Sequence, residues 1–282
     1  MIKLLLISLI FIGCSTTDIK KNTDNNSWLV QYQNINIDNI IKSGYKTIII
    51  DYSKDGSDAH RFTKHEIAKL KKNGIRVISY LSIGEAEDYR FYWKKSWYKN
   101  PPKWIKYENP NWKGNYKIEY WNKEWENIIY TYLEKILEVG FDGVFLDVVD
   151  AYKYLDSNIN DNAEKMIKLI EKISIYAKYQ NPNFLIIPQN AEDLLKYDNK
   201  NKFLNSIDGV GVESLWFYKN KLQNKDITAY RLNFLKQLQS KGKFIYIIEY
   251  INKNIDTVKN LALKNNFYYY IAKPNAALDE IN

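Results

Sequence analysis

The chain has 282 residues, 45% hydrophobic and 15% aromatic, with 24 Tyr, 8 Trp and a formal charge of +8. That composition excludes an intrinsically disordered chain, and the length suits one domain the size of an α/β barrel. The Lys residues are scattered among Asn and Asp without a basic block, which argues against a nucleic-acid partner, and a single cysteine excludes an intramolecular disulfide.

Met1-Ile2-Lys3 is a basic start, followed by an apolar run from Leu4 to Gly13. A membrane-spanning helix takes about 20 residues, so the run is too short to span and fits the apolar region of a secretory signal. Phe11-Ile12-Gly13-Cys14 resembles a bacterial lipoprotein processing site, where the cysteine becomes the lipidated first residue, although Phe stands where Leu is usual. The expected organisation is a signal peptide over 1–13, lipidated Cys14 with a polar tether over 14–27, and one domain over 28–282. That places the protein outside the cytoplasm, anchored to a membrane of the bacterial cell envelope. An ordinary signal peptide with a chance cysteine is the competing reading.

From Trp28 onward the pattern alternates. Apolar, β-branched or aromatic runs bounded by Gly, Asn or charge predict strands over Trp28–Gln33, Lys46–Asp51, Arg76–Ser82, Asp142–Asp147, Asn183–Pro188, Asp208–Glu213, Lys243–Glu249 and Phe267–Ala272. Trp125, Ile128, Ile129, Tyr132, Leu133 and Ile136 follow helical spacing up to Gly140. Ala163, Met166, Ile167 and Ile170 do the same, and Ile227 to Ser240 more loosely. Eight strands alternating with helices predict an α/β fold of the (β/α)8 TIM-barrel type. A doubly wound open sheet is the alternative, weakened by the lack of a Gly-rich fingerprint after the first strand. Residues 83–121, between strand three and its helix, hold Trp93, Trp97, Trp104, Trp112 and Trp121. This long Trp-rich insertion falls on the face where barrel active sites lie, and its flat rings suit stacking on sugars or a small core of its own.

The segments Asp142-Gly143-Val144-Phe145-Leu146-Asp147 and Asp208-Gly209-Val210-Gly211-Val212-Glu213 share one design: Asp-Gly opens a strand and an acid closes it. Alternation puts Gly143, Phe145 and Asp147 on one side of strand four, and Gly209, Gly211 and Glu213 on one side of strand six. With the branched residues facing the helices, both acids point into the mouth at similar height. Two such carboxyls are what glycoside hydrolysis requires. Asp51, Glu85, Glu87 and Glu249 also end strands, predicting an acidic mouth on a basic protein and attraction for a cationic substrate. His60 and His65 are the only histidines and share one helix start, so neither a metal site nor a Ser/His/Asp arrangement is expected.

Ser79-Tyr80-Leu81-Ser82-Ile83-Gly84-Glu85-Ala86-Glu87-Asp88-Tyr89-Arg90, with Gly114-Asn115-Tyr116, Tyr120-Trp121 and Gly140 to Asp147, resembles glycoside hydrolase family 114. The resemblance covers about residues 28–272. It implies a (β/α)8 barrel without metal or cofactor, and endo cleavage of α-1,4 linkages in a galactosamine-containing polysaccharide. It also implies a catalytic Asp on strand four and Glu on strand six, which fall on Asp147 and Glu213. Asp51, Tyr80, Glu85, Asn190 and Glu249 are nominated as substrate contacts, with Trp121, Asp150, Tyr152 and Trp216 on the adjoining connections. If the strand-six match fails, Glu249 is the rival second acid. A monomer is expected. In the retaining version Asp147 is the nucleophile and Glu213 the acid/base; in the inverting version Asp147 is the general base. The alternative from another class is a lipoprotein that binds glycans without cleaving them.

Overall fold

The computed structural model describes residues 28–155 and 158–281. The expected signal peptide, Cys14 and tether fall outside them. Eight parallel strands form the barrel: β1 (Leu29–Gln31), β2 (Thr47–Ile50), β3 (Arg76–Ser82), β4 (Gly143–Asp147), β5 (Leu185–Pro188), β6 (Gly209–Glu213), β7 (Phe244–Tyr250) and β8 (Tyr268–Ala272). Between them run α1 (Ile37–Ser43), α2 (Lys64–Lys72), α3 (Lys123–Val139), α4 (Ile159–Gln180), α5 (Lys202–Ser206), α6 (Lys225–Ser240) and α7 (Ile255–Asn265). The barrel strands keep the predicted order, and their bounds move by at most two residues.

Parallel ladders join β1 through β5 and β6 through β8, and a bridge between Gln189 and Gly211 connects the two arcs. Beyond β8 the chain returns over β1. The Tyr32 N–H donates to the Leu278 carbonyl at 2.8 Å, and Gln31 Nε2 donates to the Asp279 carbonyl at 3.3 Å. The protein is thus an α/β chain of TIM-barrel type.

The interior is aromatic, and glycine makes room for it. Trp28 packs on Tyr246 (ring centroids 4.5 Å apart) and Phe145 (6.1 Å). A Cβ on Gly211 would lie 2.3 Å from the Phe145 ring, and one on Gly209 2.2 Å from the Phe244 ring. The Gly-Val-Gly of β6 therefore admits rings from β4 and β7, while Val210 and Val212 are buried against the helix layer.

The repeated Asp-Gly has a structural meaning at the floor of the barrel. Asp142 Oδ2 accepts the Val77 N–H of β3 at 2.9 Å, and its other oxygen pairs with Lys71. Asp208 Oδ2 accepts the Ile186 N–H of β5 at 2.8 Å and pairs with Lys178. Each aspartate fastens its strand to the preceding one, which sets the register that carries the closing acid to the opposite rim.

The Trp-rich insertion is a three-stranded antiparallel sheet (Glu85–Glu87, Asn115–Ile118, Ile105–Glu108) beside the mouth. Its tryptophans pack on one another: Trp93 on Trp97 at 5.3 Å, Trp97 on Trp104 at 5.5 Å, and Trp104 on Trp125 of α3 at 5.6 Å. Trp112 alone of the five is mostly exposed, at 63%. Of the two roles open to this group, Trp93, Trp97 and Trp104 take the second, a satellite core, because a sheet this small must bury rings of its own to be rigid.

Candidate active site

Asp147 closes β4 at the barrel rim. Its Oδ2 accepts from the Tyr80 hydroxyl at 2.8 Å and its Oδ1 from the Val148 N–H at 2.8 Å. The second bond requires a tight turn, and Val148 takes φ 56°, a left-handed conformation unusual for a β-branched residue. Gly84 supports that turn: a Cβ there would lie 2.0 Å from the Val148 carbonyl oxygen. The glycine of Ser82-Ile83-Gly84-Glu85 is thereby explained by the backbone pressed against it. Ser214 after Glu213 (φ 51°) and Asn190 after β5 (φ 51°) are also left-handed, so backbone strain gathers around the rim.

Glu213 closes β6. Asn190 Nδ2 donates to its Oε2 at 2.9 Å, and the Tyr250 hydroxyl donates to its Oε1. The two carboxyls feel each other. Burial first, and the Glu213 charge second, push Asp147 up to about 7. Tyr32 stands among the acids, its ring 4.7 Å from that of Tyr80. Its phenol is held well above its ordinary value, by burial foremost and then by Asp147, Glu213, Asp51 and Glu87.

Behind each acid lies an arginine that the sequence reading passed over. Arg90 Nε donates to Glu87 Oε2 at 2.6 Å and its Nη1 to Asp51 at 2.9 Å, all three side chains being buried. The Tyr80 hydroxyl lies 3.3 Å from Glu87 Oε1, linking this cluster to Asp147. On the other side Arg231 donates through Nε to Glu192, through Nη1 to the Glu213 carbonyl at 2.7 Å, and through Nη2 to Asn190 Oδ1 at 3.0 Å. Composition held the available clue: only four residues of this Lys-rich chain are arginine.

Several expected contacts are placed away from the opening. Glu249 is fully buried, with Oε1 and Oε2 accepting the Trp216 and Phe217 N–H groups at 2.7 and 3.2 Å. Alternation explains this: Tyr246, Ile248 and Tyr250 of β7 face inward, so Glu249 faces the helix layer. It clamps the loop after β6 and is correctly positioned neither as a substrate contact nor as the rival acid. Trp216 is 5% exposed and stacks on Phe267, while Tyr152 is fully buried with its hydroxyl on Asp193. Asp51 is committed to Arg90, and Glu85 to Lys117, Asn109 and Asn115. Trp121 is half-buried against Tyr120, with Lys165 over its ring.

Asn190, Asp150 and Glu213 do line a common groove of about 730 Å³ at the rim, below the exposed Tyr218 and Tyr230. Its wall carries Asp150, Glu192, Asp193, Glu213 and Asp226 against Lys153 and Arg231, so it is acidic on a chain of charge +8. Asp147 sits beside it, its charge coupled to both Glu213 and Asp150.

A fold with paired rim carboxyls narrows the chemistry, and comparison with known proteins narrows it further. The model of Glycoside-hydrolase family GH114 matches residues 14–281. Uncharacterized protein MJ1477 of Methanocaldococcus jannaschii is 43% identical, over 94% of this chain and 81% of that one. In fold the chain is similar to the glycoside hydrolase domain of PelA from Pseudomonas aeruginosa (TM-score 0.70, 15% identity, 90% of this chain and 96% of that one). It is also similar to Aspergillus fumigatus Ega3, solved in complex with galactosamine (TM-score 0.66, 19% identity, 90% of this chain and 93% of that one). With the family model matched along almost its whole length, the chain belongs to glycoside-hydrolase family GH114 and is a glycoside hydrolase.

Proposed function

We propose that the protein cleaves internal α-1,4 linkages of a galactosamine-containing polysaccharide, using Asp147 and Glu213 as its carboxyl pair. The observation that carries this reading is the coupling of the two acids at one rim, beside an acidic groove. The binding of galactosamine by Ega3, a protein of similar fold, supports the choice of sugar. At neutral pH an amino sugar is a cation, and a groove with five acids against two bases attracts it.

In the retaining form, Asp147 gives an electron pair to the anomeric carbon while the bond to the leaving sugar breaks. The departing oxygen takes the proton of Glu213. Water then attacks the same carbon and gives a proton back to Glu213, and the ester bond's electron pair returns to Asp147. Burial and mutual repulsion make it costly to ionise both carboxyls, so the pair retains one proton near neutrality. That is the proton count the first step needs. The Asn190 amide and the Tyr250 hydroxyl hold Glu213 in place. We further propose that the enzyme acts outside the cytoplasm, anchored through a lipid on Cys14.

Incubation with de-N-acetylated galactosamine polymer tests the activity. Shorter oligosaccharides are expected from the wild type and none from Asp147→Asn or Glu213→Gln. Undiminished cleavage by either variant would remove that residue from the chemistry, and binding without products would make the protein a glycan-binding barrel.

A further inference from the structure

The Tyr80 hydroxyl has one hydrogen and two acidic neighbours. It lies 2.8 Å from Asp147 Oδ2 and 3.3 Å from Glu87 Oε1. Glu87 is nearly inaccessible, at 1% exposure, and its Oε2 is bound by the Arg90 guanidinium at 2.6 Å. Its Oε1 already accepts from the Tyr89 hydroxyl at 2.7 Å, and a carboxylate oxygen has room for one more donor. Among the described residues Asp147 has no such guanidinium, and its donors are the Tyr80 hydroxyl and the Val148 N–H. Tyr80 thus stands between a carboxyl held by a guanidinium and one whose charge changes during the proposed reaction.

We infer that Tyr80 is a hydrogen-bond switch, donating to Asp147 when that group is a carboxylate and to Glu87 when Asp147 has become a glycosyl ester. The inference rests on the retaining reading above. In the first half-reaction Asp147 turns from an anion into a neutral ester and becomes a weaker acceptor. A donor confined to it would then be left poorly satisfied in a buried place. Glu87 provides the alternative acceptor, so the intermediate forms without an orphaned hydroxyl. In the second half-reaction the bond between the anomeric carbon and Asp147 breaks, and negative charge returns to the carboxylate. The Tyr80 hydrogen swings back and stabilises that charge as it develops, which lowers the barrier to departure. Burial, Asp147 and Glu87 hold the Tyr80 phenol well above its ordinary range, so it keeps its hydrogen and acts by rotation alone.

The two halves of the switch give opposite kinetic signatures. Tyr80→Phe removes the donor while keeping the ring packed against Tyr32. It slows release from the ester more than formation of it. With the α-fluoride of a galactosamine oligosaccharide as substrate, kcat falls by at least about tenfold, the range for a hydrogen bond to a charged group. KM falls with it, kcat/KM stays within about threefold by the same reasoning, and intact-protein mass spectrometry finds a glycosyl adduct that the wild type does not accumulate. Glu87→Gln keeps the phenol but replaces the charged acceptor with a neutral one. It lowers kcat/KM and leaves no adduct. Equal losses in kcat and kcat/KM for Tyr80→Phe without an adduct, or an unchanged kcat, overturn the switch. Should Tyr80→Phe fail to fold, an adduct or an unchanged kcat/KM in Glu87→Gln overturns it alone. The anomer first released by the wild type, read by proton NMR, tests the foundation separately: a β product refutes the retaining mechanism itself.

Discussion

Replacing Asp147 with asparagine is expected to abolish cleavage and to stabilise the fold, and the gain should depend on pH. The Asp147 carboxyl is raised from the usual 3.8 to about 7, by burial and then by the charge of Glu213. A group raised in this way contributes stability that is complete below pH 3.8 and lost as pH climbs through about 7. Each tenfold change in proton affinity is about 1.4 kcal/mol, so the loss amounts to roughly 4 kcal/mol at full value. Asparagine bears no charge. It can accept the Val148 N–H through Oδ1 and offer its amide hydrogen to the Tyr80 oxygen, which leaves the Tyr80 hydrogen for Glu87. Allowing for relaxation around the ionised carboxylate, a gain of about 2 kcal/mol at pH 8 is expected, or about 4–8 °C in Tm for a domain of this size. At pH 5 Asp147 is protonated in the folded wild type but mostly ionised in the unfolded chain, so a little over a third of the loss is already present and the gain should shrink to under about 1 kcal/mol. Urea titrations and thermal melts of both proteins at pH 5 and pH 8 supply the comparison. A variant equally stabilised at both pH values, or less stable than wild type at pH 8, would refute the electrostatic account of this site.

Four further outcomes follow from the same geometry. Gly84→Ala should fold but lose about 100-fold in kcat/KM on the polymer, since its methyl group must push the turn after Asp147 and misplaced catalytic groups cost about that much; near-normal kinetics would mean the turn tolerates displacement. Glu249→Gln should lose about 2 kcal/mol in urea unfolding, because its amide nitrogen would meet a backbone N–H that now has a carboxylate acceptor. Arg90→Met should lose about 3–5 kcal/mol by leaving the buried Asp51 and Glu87 carboxylates uncompensated; a loss below about 1 kcal/mol would place these groups in water instead. The basic limb of kcat/KM for the wild type should lie near pH 7, because the carboxyl pair gives up its one proton there and none is left for the departing oxygen; full activity at pH 9 would contradict this.

The sequence was most legible where side chains alternate between two environments. The β4 and β6 runs show branched apolar residues on one face and Gly, Phe and an acid on the other. That pattern alone located the strands and directed Asp147 and Glu213 toward the same rim. Glu249 was misjudged because Tyr246, Ile248, Glu249 and Tyr250 are all plausible inward residues until the β6–β7 register is known. That register faces Tyr246 with Gly211 and so sends Glu249 outward. The tryptophans of the insertion were ambiguous for a different reason. An aromatic that stacks on sugar and one that stacks on another aromatic have the same composition and spacing, and only the antiparallel pairing of Glu85–Glu87 with Asn115–Ile118 brings the rings together. Gly84 could be read as a turn residue, but not as the neighbour of Val148 across 64 positions of sequence.

Arginine, missed in the sequence, explains why so many acids can share one rim. Asp51, Glu87, Asp147, Glu213 and Glu192 cluster where mutual repulsion would protonate several of them or open the barrel end. Arg90 lies between two of these acids and Arg231 pairs with a third, and lysine would serve neither place well. A guanidinium presents donors in a rigid plane, so Arg90 reaches Glu87 and Asp51 at once. Arg231 likewise reaches Glu192, the Glu213 carbonyl and Asn190. The last contact has a directional effect. Asn190 Oδ1 is occupied by Arg231 and by the Glu213 N–H at 3.0 Å, so its amide cannot turn, and Nδ2 must face the Glu213 carboxylate. On the other side Arg90 binds Glu87 beside Tyr80. Neither arginine touches Asp147 or the Glu213 carboxylate, so neither removes the repulsion between them. Charge is offset in part around the pair and left unbalanced within it, and that imbalance is what keeps one proton at the rim.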